Sequence, residues 1–113
     1  MMKKLIDGVI VLTAKELALA SKDHGDRFHS LHEGYGVIRE ELDEAKEERQ
    51  AVGDAFGDVM YLIRTEQYDM LRECLTNMGR HAMLAACEYI QVAAMCDKML
   101  RGMEVADNAD HRD

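Results

Sequence analysis

The sequence predicts an all-α fold, and three observations carry that prediction. Proline is absent, the residue menu is dominated by Ala, Leu, Met, Glu and Lys, and apolar residues recur at helical spacing. Aromatic residues make up only 5% of the chain, so few of the residues that strands favour are present. With 113 residues the chain has the length of one domain and can bury one core. We therefore expect a single all-α domain over 1–113, a four-helix bundle-like unit with a frayed tail from about 104 to 113.

With no proline to interrupt it, the chain is punctuated by glycine. Gly25, Gly53, Gly79 and Gly102 divide it into four helical segments of roughly 3–22, 31–50, 54–77 and 80–101. In the first, Leu5, Ile6, Val9, Ile10, Leu12, Leu17 and Ala20 form a broad apolar side. The polar loop that follows ends at Ser30, where "SLHE" matches a capping box: the serine hydroxyl takes a free backbone N–H and Glu33 reaches back. The second helix is expected to start there. Gly34 and Gly36 in its first turns cost up to about 1 kcal/mol each relative to alanine, a hint that something approaches that backbone closely.

The third segment has two apolar groups, Ala55 to Ile63 and Met70 to Met78, separated by polar "RTEQ", which leaves open one kinked helix or two. The fourth, "HAMLAACEYIQVAAMCDKML", is apolar on nearly every side from Met83 to Met95 and is expected to be centrally buried. Cys74, Cys87 and Cys96 show no metal or redox spacing and read as reduced core residues, which fits a cytoplasmic location.

The formal net charge of −8 argues against nucleic acid or an anionic membrane as a partner. Asp7 and the Lys15–Glu16 pair break up the apolar N-terminal stretch, which reads as an amphipathic helix, not a secretory signal. No run approaches the ~18 consecutive apolar residues of a membrane span.

The acidic run "EELDEAKEE" by itself reads as a solvated acidic face, and Glu88 is the carboxylate that this reading does not explain. On the second helix Ile38, Leu42 and Ala45 define the buried stripe, and Glu41, Glu44 and Glu48 form a stripe beside it. Like charges at such spacing destabilise a helix mildly unless a cation or a basic side chain sits among them, and Lys46 and Arg49 are candidates for the latter. Glu88 stands in the apolar run "LAACEYIQVAAM", where an ionised carboxylate needs a partner. An acidic helix edge and a carboxylate on a second helix suit hard oxygen-ligand chemistry, Mg²⁺ or Mn²⁺, bound partly through a phosphorylated substrate. The alternative is that Glu88 pairs with a core cation or marks a polar oligomer contact.

At these residues the chain resembles the MazG-like all-α nucleoside triphosphate pyrophosphohydrolases, of short phage and bacterial type. "HEGYGVIREELDEAKEE" resembles their E-E-x-x-E motif and "CEYIQVAAM" their later acidic motif, commonly E-x-x-D. The resemblance implies hydrolysis of a (d)NTP to a (d)NMP and pyrophosphate with Mg²⁺ as cofactor, Mn²⁺ being possible. It implies metal ligands at Glu41, Glu44 and Glu88, and a role for Glu40 in holding or activating water. Gln91 stands where E-x-x-D has aspartate, so it brings an oxygen but no charge. A competing alignment sets "GDAFGDVMYLI" against the second motif, with Asp54 or Asp58 as ligands and Glu88 structural.

Gln91 and Lys98, and less directly Arg101, are candidates for contacting substrate, and His24, His29 and His32 surround the loop entering the acidic helix. The wide apolar faces, and the resemblance, imply a homodimer or homotetramer. The contrasting expectation is a non-catalytic helical assembly module with an acidic face.

Overall fold

The computed structural model describes residues 1–110, the side chains of 24 and 105–110 apart. Three helices account for nearly all of it: α1 (Met2–His24), α2 (Leu31–Arg64) and α3 (Tyr68–Asp110), and the described residues include no strand. The all-α expectation holds. The C-terminal stretch read as a frayed tail is helical backbone as far as Asp110, and 111–113 lie outside the described residues.

The four expected segments are three helices, because Gly53 and Gly79 lie inside α2 and α3 without interrupting them. A mid-helix glycine costs about 1 kcal/mol, less than opening two helix ends with their orphan N–H and C=O groups. The chain reverses instead at "RTEQ". There Glu66 takes a left-handed conformation with φ 54°, the Gln67 N–H donates to the Leu62 carbonyl at 3.0 Å, and the Glu66 N–H donates to that of Ile63 at 3.1 Å. This is the paired bonding of a Schellman motif, with a glutamate where glycine is usual. Two other boundaries follow the sequence. Ser30 Oγ accepts from the Glu33 N–H at 3.1 Å as α2 starts, and Gly25, at φ 87°, ends α1 with its N–H on the Ser21 carbonyl.

By packing, the chain divides into two compact units. The first comprises 1–41 and the described residues from 89 onward. Its core is Leu17, Ala94 and Met95, with Ala20, Phe28, Val37 and Ile38 packed against them. Gly34 is buried here, and a Cβ on it would meet Phe28 Cδ2 at 3.0 Å and Met99 Sδ at 3.1 Å, the close approach its position hinted at; Gly36 has open space. Only the C-terminal half of α1 contributes. Of the broad apolar side read from the sequence, Leu5, Ile6, Val9, Ile10 and Leu12 are exposed.

The second unit, 42–88, is an antiparallel hairpin of the two long helices. The Cys74 thiol donates to the Ala55 carbonyl at 3.2 Å and His81 meets Glu48 at 2.6 Å, so positions on α2 fall as those on α3 rise. Ala45, Glu48, Val52, Ala55, Val59 and Leu62 are buried or half-buried at alternating spacings of three and four. Gln67, Leu71, Cys74, Met78, His81, Ala85 and Glu88 repeat that spacing on α3. Two such seams facing each other make a heptad-packed pair.

The central burial expected from Met83 to Met95 is not observed: Met83, Leu84 and Tyr89 are exposed, and only Ala94 and Met95 are buried. Cys87 and Cys96 are exposed free thiols, not the core residues expected, and Cys74, also free, is half-buried in the seam. A lone hairpin has one seam, so Met83 and Leu84, apolar positions of α3 outside it, face outward.

Candidate metal centre

Glu41 and Glu44 stand one turn apart on α2, where the i, i+3 relation brings side chains together. Each offers a carboxylate oxygen, and these lie within 4.8 Å. Within the hairpin, Glu44 meets Glu88 of α3 within the same distance. Glu41 and Glu88 are half-buried and Glu44 is exposed. In the antiparallel register of Ala55–Cys74 and Glu48–His81, Glu44 falls level with Ala85, and Glu88 stands one turn beyond Ala85, within reach of the Glu44 side chain.

The third carboxylate of the predicted stripe, Glu48, has a different partner. Its Oε2 lies 2.6 Å from His81 Nδ1, inside the seam, with both side chains about a quarter exposed (26% and 21%). Sequence reasoning did not single out His81, because a histidine at a heptad position breaks the apolar pattern that marks a seam. Lys46 and Arg49, considered as partners for the acidic stripe, are both exposed. Glu40 is exposed on α2.

No family model matches the chain, and no curated protein or solved structure is significantly similar to it.

Gln91, Lys98 and Glu41 share another feature, a cavity of about 550 Å³ in the first unit that they line together with Glu16, His29 and Glu33. Its apolar walls are Ala20, Phe28, Val37 and Met95. Lys98 is 4% exposed, and its Nζ stands 4.5 Å from the centroid of the Phe28 ring. The ring's negative face offers the ammonium a partner worth about 1–2 kcal/mol where water is excluded. Of the loop histidines His29 reaches this cavity; His32 is exposed, and the His24 side chain lies outside the described residues. Phe28, Glu16 and Glu33 were not legible as cavity residues, since Phe28 sits in a polar loop and Glu16 looks like a solvated charge of α1.

Asp54 and Asp58, the ligands of the competing alignment, are exposed on α2. Asp58 borders a shallow surface depression with Glu73, Cys74 and Asn77, and neither aspartate joins the glutamate group.

The donor set of the glutamate group is all carboxylate oxygen, the chemistry that Mg²⁺ and Mn²⁺ take. Two carboxylates at these distances repel by about 1 kcal/mol in fully aqueous surroundings and by more where water is partly excluded. A divalent cation reverses the sign of that interaction.

Proposed function

We propose that this protein is a metal-dependent nucleoside triphosphate pyrophosphohydrolase, splitting a (d)NTP with water into a (d)NMP and pyrophosphate. The observation that carries this reading is the meeting of Glu44 and Glu88 from two helices, with Glu41 a turn away from Glu44. A solvated acidic face accounts for the run on α2 but gives no reason for a carboxylate of an apolar stretch of α3 to join it.

Glu41, Glu44 and Glu88 would hold Mg²⁺ or Mn²⁺. Bound there, the ion would acidify a water and stabilise charge on the phosphoryl oxygens. Glu40, exposed on the same helix, has the role of orienting the attacking water and receiving its proton. Lys98 supplies positive charge toward the polyphosphate and Gln91 an amide that can donate to phosphate oxygen or accept from substrate. Both line the cavity that Glu41 borders, and its apolar walls suit a flat base. The chain would act in the cytoplasm as a homodimer or homotetramer, its helices completing a four-helix bundle.

Pyrophosphate release from a panel of nucleoside triphosphates with Mg²⁺ tests the proposal. Release is expected with at least one nucleotide, and Glu44→Gln and Glu88→Gln should each lower it on the order of 100-fold or more. No release from any nucleotide sinks the enzyme reading. The exposed apolar residues of α2 and α3 then favour the second reading, a non-catalytic assembly module with an acidic face.

A further inference from the structure

The cavity of the first unit has two unlike ends. Glu33, Val37 and Glu41 line it from α2 at intervals of four, so it follows that helix for two turns, about 12 Å. Gly34 lies against Met99, and with α2 and α3 antiparallel this sets Glu33 about level with Lys98 and Glu41 about level with Gln91. Val37 and Met95 fall between. Glu41 belongs to the acidic group, so the end at Phe28 and Lys98 is the one remote from it.

Two opposite charges line this cavity without neutralising each other. Lys98 is almost fully buried and Glu16 of α1 is half-buried, and neither forms an ion pair with another described residue. An ammonium carries three donors, and the face of Phe28 answers for one of them. A half-buried carboxylate likewise keeps acceptor capacity for N–H groups, and leaving either unmet is costly away from water. A ligand that presents an oxygen beside two N–H donors would satisfy both.

We propose that this cavity reads a guanine base, with Lys98 donating to O6 and Glu16 accepting from N1–H and the 2-amino group. The inference rests on the hydrolase reading only in taking a nucleotide as the ligand. With phosphates at the Glu41 end, sugar and base extend past Val37 and Met95, whose side chains suit the faces of a planar ring. The charge of Lys98 still acts on the polyphosphate through space, while its hydrogen bond goes to the ring.

Of the four bases, guanine alone sets an oxygen acceptor beside two adjacent donors on its pairing edge. Adenine turns an amino group toward the ammonium, donor against donor. Thymine sets an oxygen against the second carboxylate oxygen, and cytosine offers the carboxylate a single donor. Each mismatch strands a partly buried charge, which rejects a ligand more strongly than lost contact area does.

The test is isothermal titration of the protein, with Mg²⁺ present, using dGMP, dIMP, dAMP, dCMP and dTMP, products that undergo no turnover. Binding of dGMP should be tighter than that of dAMP, dCMP or dTMP on the order of 10-fold or more. Because dIMP lacks the 2-amino group, it should fall between. Glu16→Gln should bring dGMP down to the level of dAMP, and Lys98→Met should weaken dGMP by a similar factor; if the lysine variant does not fold, the glutamine variant and dIMP still decide. Equal binding of the bases, no binding, preference for another base, or a guanine preference that survives Glu16→Gln would overturn the proposal. Pyrophosphate release with no base preference defeats this inference alone, and guanine-selective binding without release from any triphosphate defeats the hydrolase reading alone.

Discussion

Glu48 and His81 meet at 2.6 Å across the α2–α3 seam, at heptad positions where an apolar pair would pack as well or better. A polar pair at such positions favours one register, since a slip by a turn leaves both groups half-buried opposite apolar residues. The double-mutant cycle of Glu48→Leu and His81→Leu, followed by urea unfolding, should give a coupling of about 1 kcal/mol. Each single variant should cost more than the double variant with both sites leucine, because it strands a half-buried partner. Additive single effects would remove the pair from any role in register.

Divalent metal should stabilise the fold. Mg²⁺ or Mn²⁺ at about 100 times its dissociation constant contributes about 2.7 kcal/mol and raises the thermal midpoint by several degrees. Glu44→Gln should raise the metal-free midpoint slightly, as one member of a repelling pair is neutralised, and abolish the rise on adding metal. An unchanged metal response in Glu44→Gln and Glu88→Gln would exclude both as ligands.

Two glycines two residues apart should answer alanine substitution with opposite signs. Gly34→Ala drives a methyl against Phe28 and Met99 and should destabilise by about 1–3 kcal/mol. Gly36→Ala has open space and gains helix propensity, stabilising by about 0.5–1 kcal/mol. Equilibrium denaturation of the two variants checks this, and equal signs would contradict the packing around Phe28.

Glu66→Gly should stabilise the hairpin by about 0.5–1 kcal/mol, because glycine takes the left-handed conformation of the turn without a Cβ penalty. A destabilised variant would show that the glutamate side chain contributes to the turn by more than the strain it carries.

The polar "RTEQ" stood out but left one kinked helix or two open; the helical class, the Ser30 cap and the crowding at Gly34 were legible, because each rests on chemistry within a few residues. So was the glutamate group as a set of positions, since the spacing of Glu41 and Glu44 and the setting of Glu88 are local. The continuity of α2 and α3 through Gly53 and Gly79 was not, because a glycine's local cost says nothing of the packing that outweighs it. Glu48, His81 and Gln67 hid the heptad repeat: with polar residues at three of its positions, a search for apolar periodicity passes over it. Nor does an apolar position announce whether it is covered within its own chain. Met83, Leu84 and Tyr89 have the composition of a core and face outward.

The heptad seam makes the length of the hairpin a separate variable from the chemistry it carries. Glu44 and Glu88 flank the seam on either arm, each about three heptads from the turn and within one turn of level with the other, so the acidic group is placed by the register of two matched rails. Seven residues added to or removed from both arms together would move the turn outward or inward and leave the separation of the two carboxylates unchanged. The same change in one arm alone would carry one glutamate past the other by two turns. Insertions in this stretch are therefore tolerable in matched sevens, and the distance between the turn and the acidic group is free to drift as long as the two arms drift together.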